Sequence, residues 1–161
     1  MKNNNTQLID FIICTPEQLE MIREWRNHQE INKWMYNKKS ISQEEHLLFV
    51  NSLQTDKDKQ YFLALYDGME IGVIDFRGLM SDKVYFGLYA KPDIQLAGAG
   101  RILESMALEY AKKRDIKSLN LEVYTSNQKV INLHKKFGFI EIDMYLHTSG
   151  EEVITMSKVL Q

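Results

Sequence analysis

The sequence is poor in residues that staple, bridge or span. Cys14 is the only cysteine among 161 residues, so an intrachain disulfide and a cysteine-based metal site are both excluded. Pro16 and Pro92 are the only prolines, and no stretch rich in proline, glycine and serine marks a linker. No apolar run approaches the roughly 20 residues that span a bilayer. The amino-terminal residues also lack the basic-then-apolar order of a secretory signal. Neither sign of charge dominates: the formal net charge is −2. That argues against a nucleic-acid partner, because phosphates demand a concentrated basic surface. A cytoplasmic protein with no membrane partner is the expectation.

What is present is an ordinary globular balance, 44% hydrophobic and 26% charged, enough for one core. Residues 1–161 are expected to form a single domain, with disorder confined to the polar start, residues 1–5. The sequence leaves the oligomeric state open, a homodimer among the options.

Residues 8–14 read as an apolar strand. Thr15, Pro16 and Gln18 then spell a helix start with a capping box, followed by Leu19, Ile22 and Arg26 on one face. Ser42 and Glu45 read as a second box, with His46, Phe49, Val50 and Leu53 sharing the face behind it. Two β-rich runs, residues 61–66 and 71–77, flank Asp67-Gly68 as a hairpin, and residues 84–90 form a further strand. Ile102, Leu103, Met106, Ala107, Tyr110 and Ala111 keep helical spacing. Leu119, Leu121 and Val123 alternate as a strand. Thr125 and Gln128 read as the start of a last helix bearing Val130, Leu133, His134 and Phe137, closed by Gly138. Residues 140–147 and 152–159 are terminal strands. The order predicts a mixed α/β domain: a mostly antiparallel sheet of about seven strands, flanked by helices, with a parallel junction where a helix intervenes.

The segment Gln95-Leu96-Ala97-Gly98-Ala99-Gly100 lies between a strand and a helix. Without Cβ atoms, Gly98 and Gly100 let the backbone approach a ligand and turn its N–H groups outward. The helix that follows adds its positive end, and together these make a diphosphate cradle. No Lys-Ser/Thr pair follows, so it is not a Walker loop. The third glycine of a dinucleotide fingerprint is also missing. Taken alone, Gly-x-Gly reads first as a tight turn.

In context, Gln-x-x-Gly-x-Gly resembles motif A of the GNAT superfamily of acetyl-CoA-dependent N-acetyltransferases. Residues 127–139, opening on Asn127 and ending in Gly138-Phe139, resemble that superfamily's other common segment. The resemblance implies acetyl-CoA as donor substrate and no metal. It implies that the backbone from Gln95 to Arg101 binds the diphosphate and that Leu88, Tyr89 and Ala90 pair with the pantetheine arm. It also implies that Asn127 contacts the cofactor. Trp25-Arg26-Asn27-His28, Trp34-Met35-Tyr36, Glu45-His46-Leu47, Tyr61-Phe62 and residues 71–76 look like the acetyltransferases of pseudaminic acid biosynthesis. Those enzymes act on the 4-amino group of a UDP-4-amino-4,6-dideoxy sugar.

Candidate side chains follow. Arg26 and His46 lie on apolar helical stripes, where a charge needs a partner. A shared cleft holding a nucleotide-sugar diphosphate would supply one. The alternatives are an ion pair of Arg26 with Glu24 or Glu30, and a core role for His46. Asp75, like Tyr89, is a candidate acceptor contact, or it merely ends its strand. Glu122 points away from Leu121 and Val123 and is a candidate base. His134 stands where the superfamily usually has a tyrosine that protonates the departing thiolate; imidazole chemistry can serve that role, or the ring only packs. His28 and His147 read as surface or loop residues, and Cys14 as a poor acyl carrier. A peptide or small-amine acceptor, and a non-catalytic acyl-CoA-binding module, are the competing readings.

Overall fold

Thr15 opens the first helix by a reciprocal exchange. Its hydroxyl accepts from Gln18 N at 3.1 Å while Gln18 Oε1 accepts from Thr15 N at 2.9 Å. With Pro16 in the first turn, this fixes the start of α1 (Pro16–Asn27), a cap that contributes about 1 kcal/mol. The computed structural model describes residues 5–160, so the polar start lies almost wholly outside them. The first strand is shorter than its apolar run: β1 covers Thr6–Asp10. Asp10 Oδ1 accepts from Ile12 N at 3.0 Å, a local side-chain bond that competes with the ladder. It turns the chain into a 3-10 segment, Phe11–Ile13, that buries Phe11.

A four-residue helix, α2 (Gln29–Asn32), follows α1, with His28 as its cap. Ser42 caps α3 (Gln43–Ser52) by accepting from Glu45 N at 3.1 Å. Only half of the expected box forms, because the Glu45 carboxylate takes the Ser42 hydroxyl at 3.2 Å instead of the backbone. The hairpin β2 (Lys59–Tyr66) and β3 (Met69–Arg77) turns at Asp67-Gly68, both with positive φ. Then come β4 (Val84–Ala90), α4 (Ala99–Lys113) and β5 (Ser118–Tyr124). The next helix, α5 (Gln128–Lys136), starts from Asn127 rather than Thr125. Thr125 N is held by Glu152 O at 3.0 Å and still belongs to the sheet end. The helix closes in a Schellman motif, Phe139 N to His134 O at 3.1 Å and Gly138 N to Lys135 O at 3.0 Å. β6 (Ile140–Leu146) and β7 (Glu152–Val159) complete the chain.

The strands form one seven-stranded sheet in the order β1-β2-β3-β4-β5-β7-β6. All neighbours are antiparallel except β4 and β5, which need the α4 crossover. That parallel pairing is brief: only Val84↔Leu119 and Tyr85↔Asn120. Beyond it β4 stays with β3 as far as Ala90, and β5 stays with β7 as far as Tyr124. The sheet therefore splits between two strands that each leave one main-chain edge free. On one face Phe62, Ile74, Phe76, Phe86, Leu119 and Leu121 pack with residues of α4 and α5. On the other, Leu63 and Val73 pack with Phe11 and with Leu19, Ile22 and Val50 of α1 and α3. No helix among the described residues is long and apolar enough to cross a membrane.

Candidate active site

One side of the split is built from main chain. Leu88, Tyr89 and Ala90 pair with Ile74, Val73 and Gly72 of β3, and their other edge faces the gap. Gly98 caps α4 with φ 77° and no side-chain capping bond, and the first turn carries no acidic residue. A Cβ on Gly98 would meet nothing within 4 Å, so its glycine answers to the left-handed backbone and to open space in front of it. Ala99 N bonds Leu96 O and Ile102 N bonds Gly98 O. Among the described residues the N–H groups of Gly100 and Arg101 have no acceptor. Gly100 differs from Gly98: a Cβ there would stand 3.2 Å from Leu133 Cδ2, so it seats α4 against α5. The Gln95 side chain folds back to Asp93 O at 3.2 Å. The Asn127 side chain makes no capping bond.

The opposite face of the split is lined by side chains. Asn27 clamps the segment after α2 with two bonds to Ile41, Oδ1 accepting from its N at 2.8 Å and Nδ2 donating to its O at 2.9 Å. Arg26 Nη2 donates to Asn37 O of the same segment at 2.9 Å, while Nη1 is enclosed without an acceptor. Among the described residues Arg26 forms no ion pair. Glu30, one expected partner, accepts instead from Asp93 N at 3.3 Å. Burial holds the Arg26 guanidinium below its ordinary range, with Tyr89 and Tyr61 the groups that act on it electrostatically. Asp75 accepts from Arg77 Nε at 2.9 Å. Its other oxygen lies 2.8 Å from where a Gly87 Cβ would be, so β4 yields space for the carboxylate. Burial pushes the Asp75 carboxyl up, against the pull of Arg77.

Glu122 receives two phenols, Tyr36 at 3.2 Å and Tyr145 at 2.6 Å. The Tyr36 ring stacks on His147, centroids 4.2 Å apart and 9° from parallel. Arg26, Tyr61, Asp75, Tyr89, Glu122, Tyr36 and Tyr145 thus stand along one face of the sheet around the split. His46 has other surroundings. It is 6% exposed, lies edge-on to Phe11 at 6.5 Å, and is lowered by burial and then by Arg23. His134 is on the helix-covered face. Its Nδ1 is 2.9 Å from Glu104 Oε1, and its ring meets Phe86 at 5.9 Å and Phe139 at 5.6 Å. Burial, then Asp10, pushes the Cys14 thiol up to about 11, so little thiolate exists at neutral pH. Among the described residues no cluster of three or more His, Cys, Asp or Glu is placed to hold a metal ion.

Residues 19–139 match the Acetyltransferase (GNAT) family. The chain belongs to this family. It is 37% identical over 138 residues to Acetyltransferase PseH of Campylobacter jejuni, covering 85% of this chain and 86% of that one. The crystal structure of Campylobacter jejuni N-acetyltransferase PseH superimposes with a TM-score of 0.78 at 30% identity, covering 98% of this chain and 99% of that one. Its complex with acetyl coenzyme A gives a TM-score of 0.69 at 28% identity, over 93% and 96% of the two chains. The spermidine N-acetyltransferase from Vibrio cholerae, at 19% identity and a TM-score of 0.85 over 98% and 97% of the chains, shares the fold. The protein is therefore an acetyl-CoA-dependent N-acetyltransferase.

Several polar groups of this acetyltransferase escaped the sequence reading. Arg77 and Tyr145 gave no signal, since each falls in a segment whose spacing says nothing about a distant strand; Tyr36 and Tyr61 stood within segments that carry the resemblance, but nothing local gave them a role. Glu104 did carry one: Gly100, Glu104, Ala107 and Ala111 fall on a single helical stripe, where a carboxylate stands among small apolar residues.

Proposed function

We propose that this GNAT enzyme acetylates the 4-amino group of a UDP-4-amino-4,6-dideoxy sugar in nonulosonic (pseudaminic) acid biosynthesis, as a single cytoplasmic domain. One observation carries the acceptor: the half-buried Arg26 guanidinium, on which Tyr89 and Tyr61 act, has no carboxylate paired to it among the described residues. A guanidinium left without a carboxylate is matched to a ligand anion, and its planar fork suits a diphosphate. Asp75 and Tyr89 would face the sugar. His46, packed on Phe11, would act on the acceptor only through the position of α1 and α3.

On the donor side, the N–H groups of Gly98, Gly100 and Arg101 would receive the diphosphate at the α4 N-terminus, helped by the loop from Gln95 to Ala99. The free edge of Leu88, Tyr89 and Ala90 would pair with the pantetheine arm, and Asn127 would contact it from across the split. The donor supplies an activated acetyl thioester. Glu122, oriented by two phenols, takes the proton of the acceptor ammonium directly or through water. The neutral amine attacks the carbonyl carbon, a main-chain N–H of β4 stabilises the oxyanion, the attacking nitrogen gives its second proton to water, and the C–S electron pair leaves on sulfur as the carbonyl re-forms. His134 then protonates the thiolate.

Release of free thiol from acetyl-CoA, measured with a panel of UDP-4-amino sugars beside peptides and polyamines, tests the acceptor. The expected result is turnover with a nucleotide sugar alone. Turnover of peptides or polyamines with no nucleotide sugar active overturns the acceptor assignment.

A further inference from the structure

The pair Glu104–His134 has a construction that packing alone does not call for. The two side chains are 0% and 6% exposed, with the carboxylate oxygen 2.9 Å from Nδ1. The second oxygen, Glu104 Oε2, is enclosed without any partner among the described residues. The neighbours on α4 are Leu103, Ala107 and Leu108, all buried; a leucine at 104 would suit them. Replacing a buried ion pair by apolar side chains is commonly neutral or stabilising, so stability does not explain why a carboxylate is kept here.

Its location does. Phe86, which His134 meets edge-on at 5.9 Å, is the first residue of β4 beyond its last pair with β5. The imidazole therefore stands at the vertex of the split. Nδ1 is taken by Glu104, so Nε2 is the ring nitrogen left to meet another group, and it is not among the enclosed unpartnered atoms. A phenol has a single O–H and needs only to be aimed. An imidazole donates from Nε2 only while a second proton is held on its other side, and a carboxylate at Nδ1 holds that proton and fixes the ring's orientation.

We infer that Glu104 is the positioning residue for His134, and that the two form a buried carboxylate–imidazole dyad that replaces a phenol as proton donor to the departing thiolate. The inference rests on the role given to His134 above. With two protons shared over the dyad, Nε2 carries a hydrogen whether the other proton sits on Nδ1 or on the carboxyl. The Nε2–H bond breaks and an S–H bond forms, the sulfur using the pair it gained from C–S cleavage. The dyad is left as a carboxylate accepting from Nδ1–H, with a lone pair on Nε2 that solvent reprotonates when product leaves.

The test uses Glu104→Gln, Glu104→Leu, His134→Phe and the double variant E104L/H134F, all on the full chain with acetyl-CoA and the nucleotide-sugar acceptor. Loss of a group that orients a functional imidazole commonly costs about 10- to 100-fold. E104L is expected to lower kcat in that range at unchanged acetyl-CoA affinity by calorimetry, with E104Q partly rescued because its amide oxygen still accepts from Nδ1. Adding E104L to H134F is expected to change nothing further. Undiminished kcat in H134F removes the role of His134 itself. Loss in H134F with full kcat in folded E104L, or losses that multiply in the double variant, overturns the dyad alone. A readout free of any acceptor is the long-range 1H–15N spectrum of His134. It is expected to show tautomer averaging in E104L, and a ring still locked in one tautomer overturns the inference.

Discussion

Gly100 and Leu133 lie so close that a methyl group on Gly100 would stand 3.2 Å from Leu133 Cδ2, whereas a methyl on Gly98 would touch nothing. The two glycines of one motif therefore do different work. Gly98→Val places a β-branched residue at φ 77°, which costs roughly 1–2 kcal/mol, and projects it into the space read as the diphosphate site. Weakened acetyl-CoA binding by calorimetry, about tenfold or more, is expected together with a modest loss of Tm. Gly100→Val wedges α4 from α5; its expected signature is a larger fall in Tm. Unchanged cofactor affinity in Gly98→Val counts against the cradle.

The difference shows what the sequence could and could not disclose. Elements with strong local signals were legible: the Thr15 box, the Asp67-Gly68 hairpin, the Gly138 closure. All of these are settled within a few residues by hydrogen bonds the chain makes with itself. The start of α5 was not, because Thr125 is held by Glu152 across the sheet, a long-range bond invisible in local spacing. The site follows the same division. Gln95 to Arg101 and His134 stand out in local patterns. The meeting of Tyr36 and Tyr145 on Glu122, 86 and 23 residues away in the chain, depends on the register of β6 against β7 and on the clamp between Asn27 and Ile41.

That meeting predicts a graded response. Glu122→Gln removes the acceptor of the amine proton and is expected to lower kcat about 10²- to 10⁴-fold. Tyr145→Phe deletes only the 2.6 Å hydroxyl donor and is expected to lower it about tenfold. The combined variant should be no slower than Glu122→Gln, because the phenol acts through the carboxylate. Multiplied losses in steady-state kinetics would show Tyr145 acting independently.

Arg26 sets function against stability. Its Nη1 is enclosed without an acceptor, so Arg26→Met removes a half-buried cation whose burial is offset by one hydrogen bond, Nη2 to Asn37 O. Tm is expected to hold or rise. A charge-assisted hydrogen bond contributes about 1.5–3 kcal/mol, so the acceptor KM is expected to rise about 10- to 100-fold while acetyl-CoA affinity stays the same. An unchanged acceptor KM would remove Arg26 from the acceptor site.

His46 predicts the acid limb of stability. It is buried between Phe11 and α1, with Arg23 and Glu20 the charged groups that act on it, and its folded-state titration is lowered, chiefly by burial. A depressed value means that the neutral ring is favoured in the fold. The stabilisation is thus complete above the unfolded value of about 6.5 and is lost as pH falls through the folded one. Asp75 works in the opposite sense, since its raised titration favours the fold where it is protonated. The comparison must therefore be between proteins, not between pH values alone. Urea midpoints from pH 7.5 down to pH 5 are expected to fall more steeply for the wild type than for His46→Leu, with the two curves diverging only below about pH 6.5. Parallel curves would mean that His46 is charged within the fold and paired by Glu20.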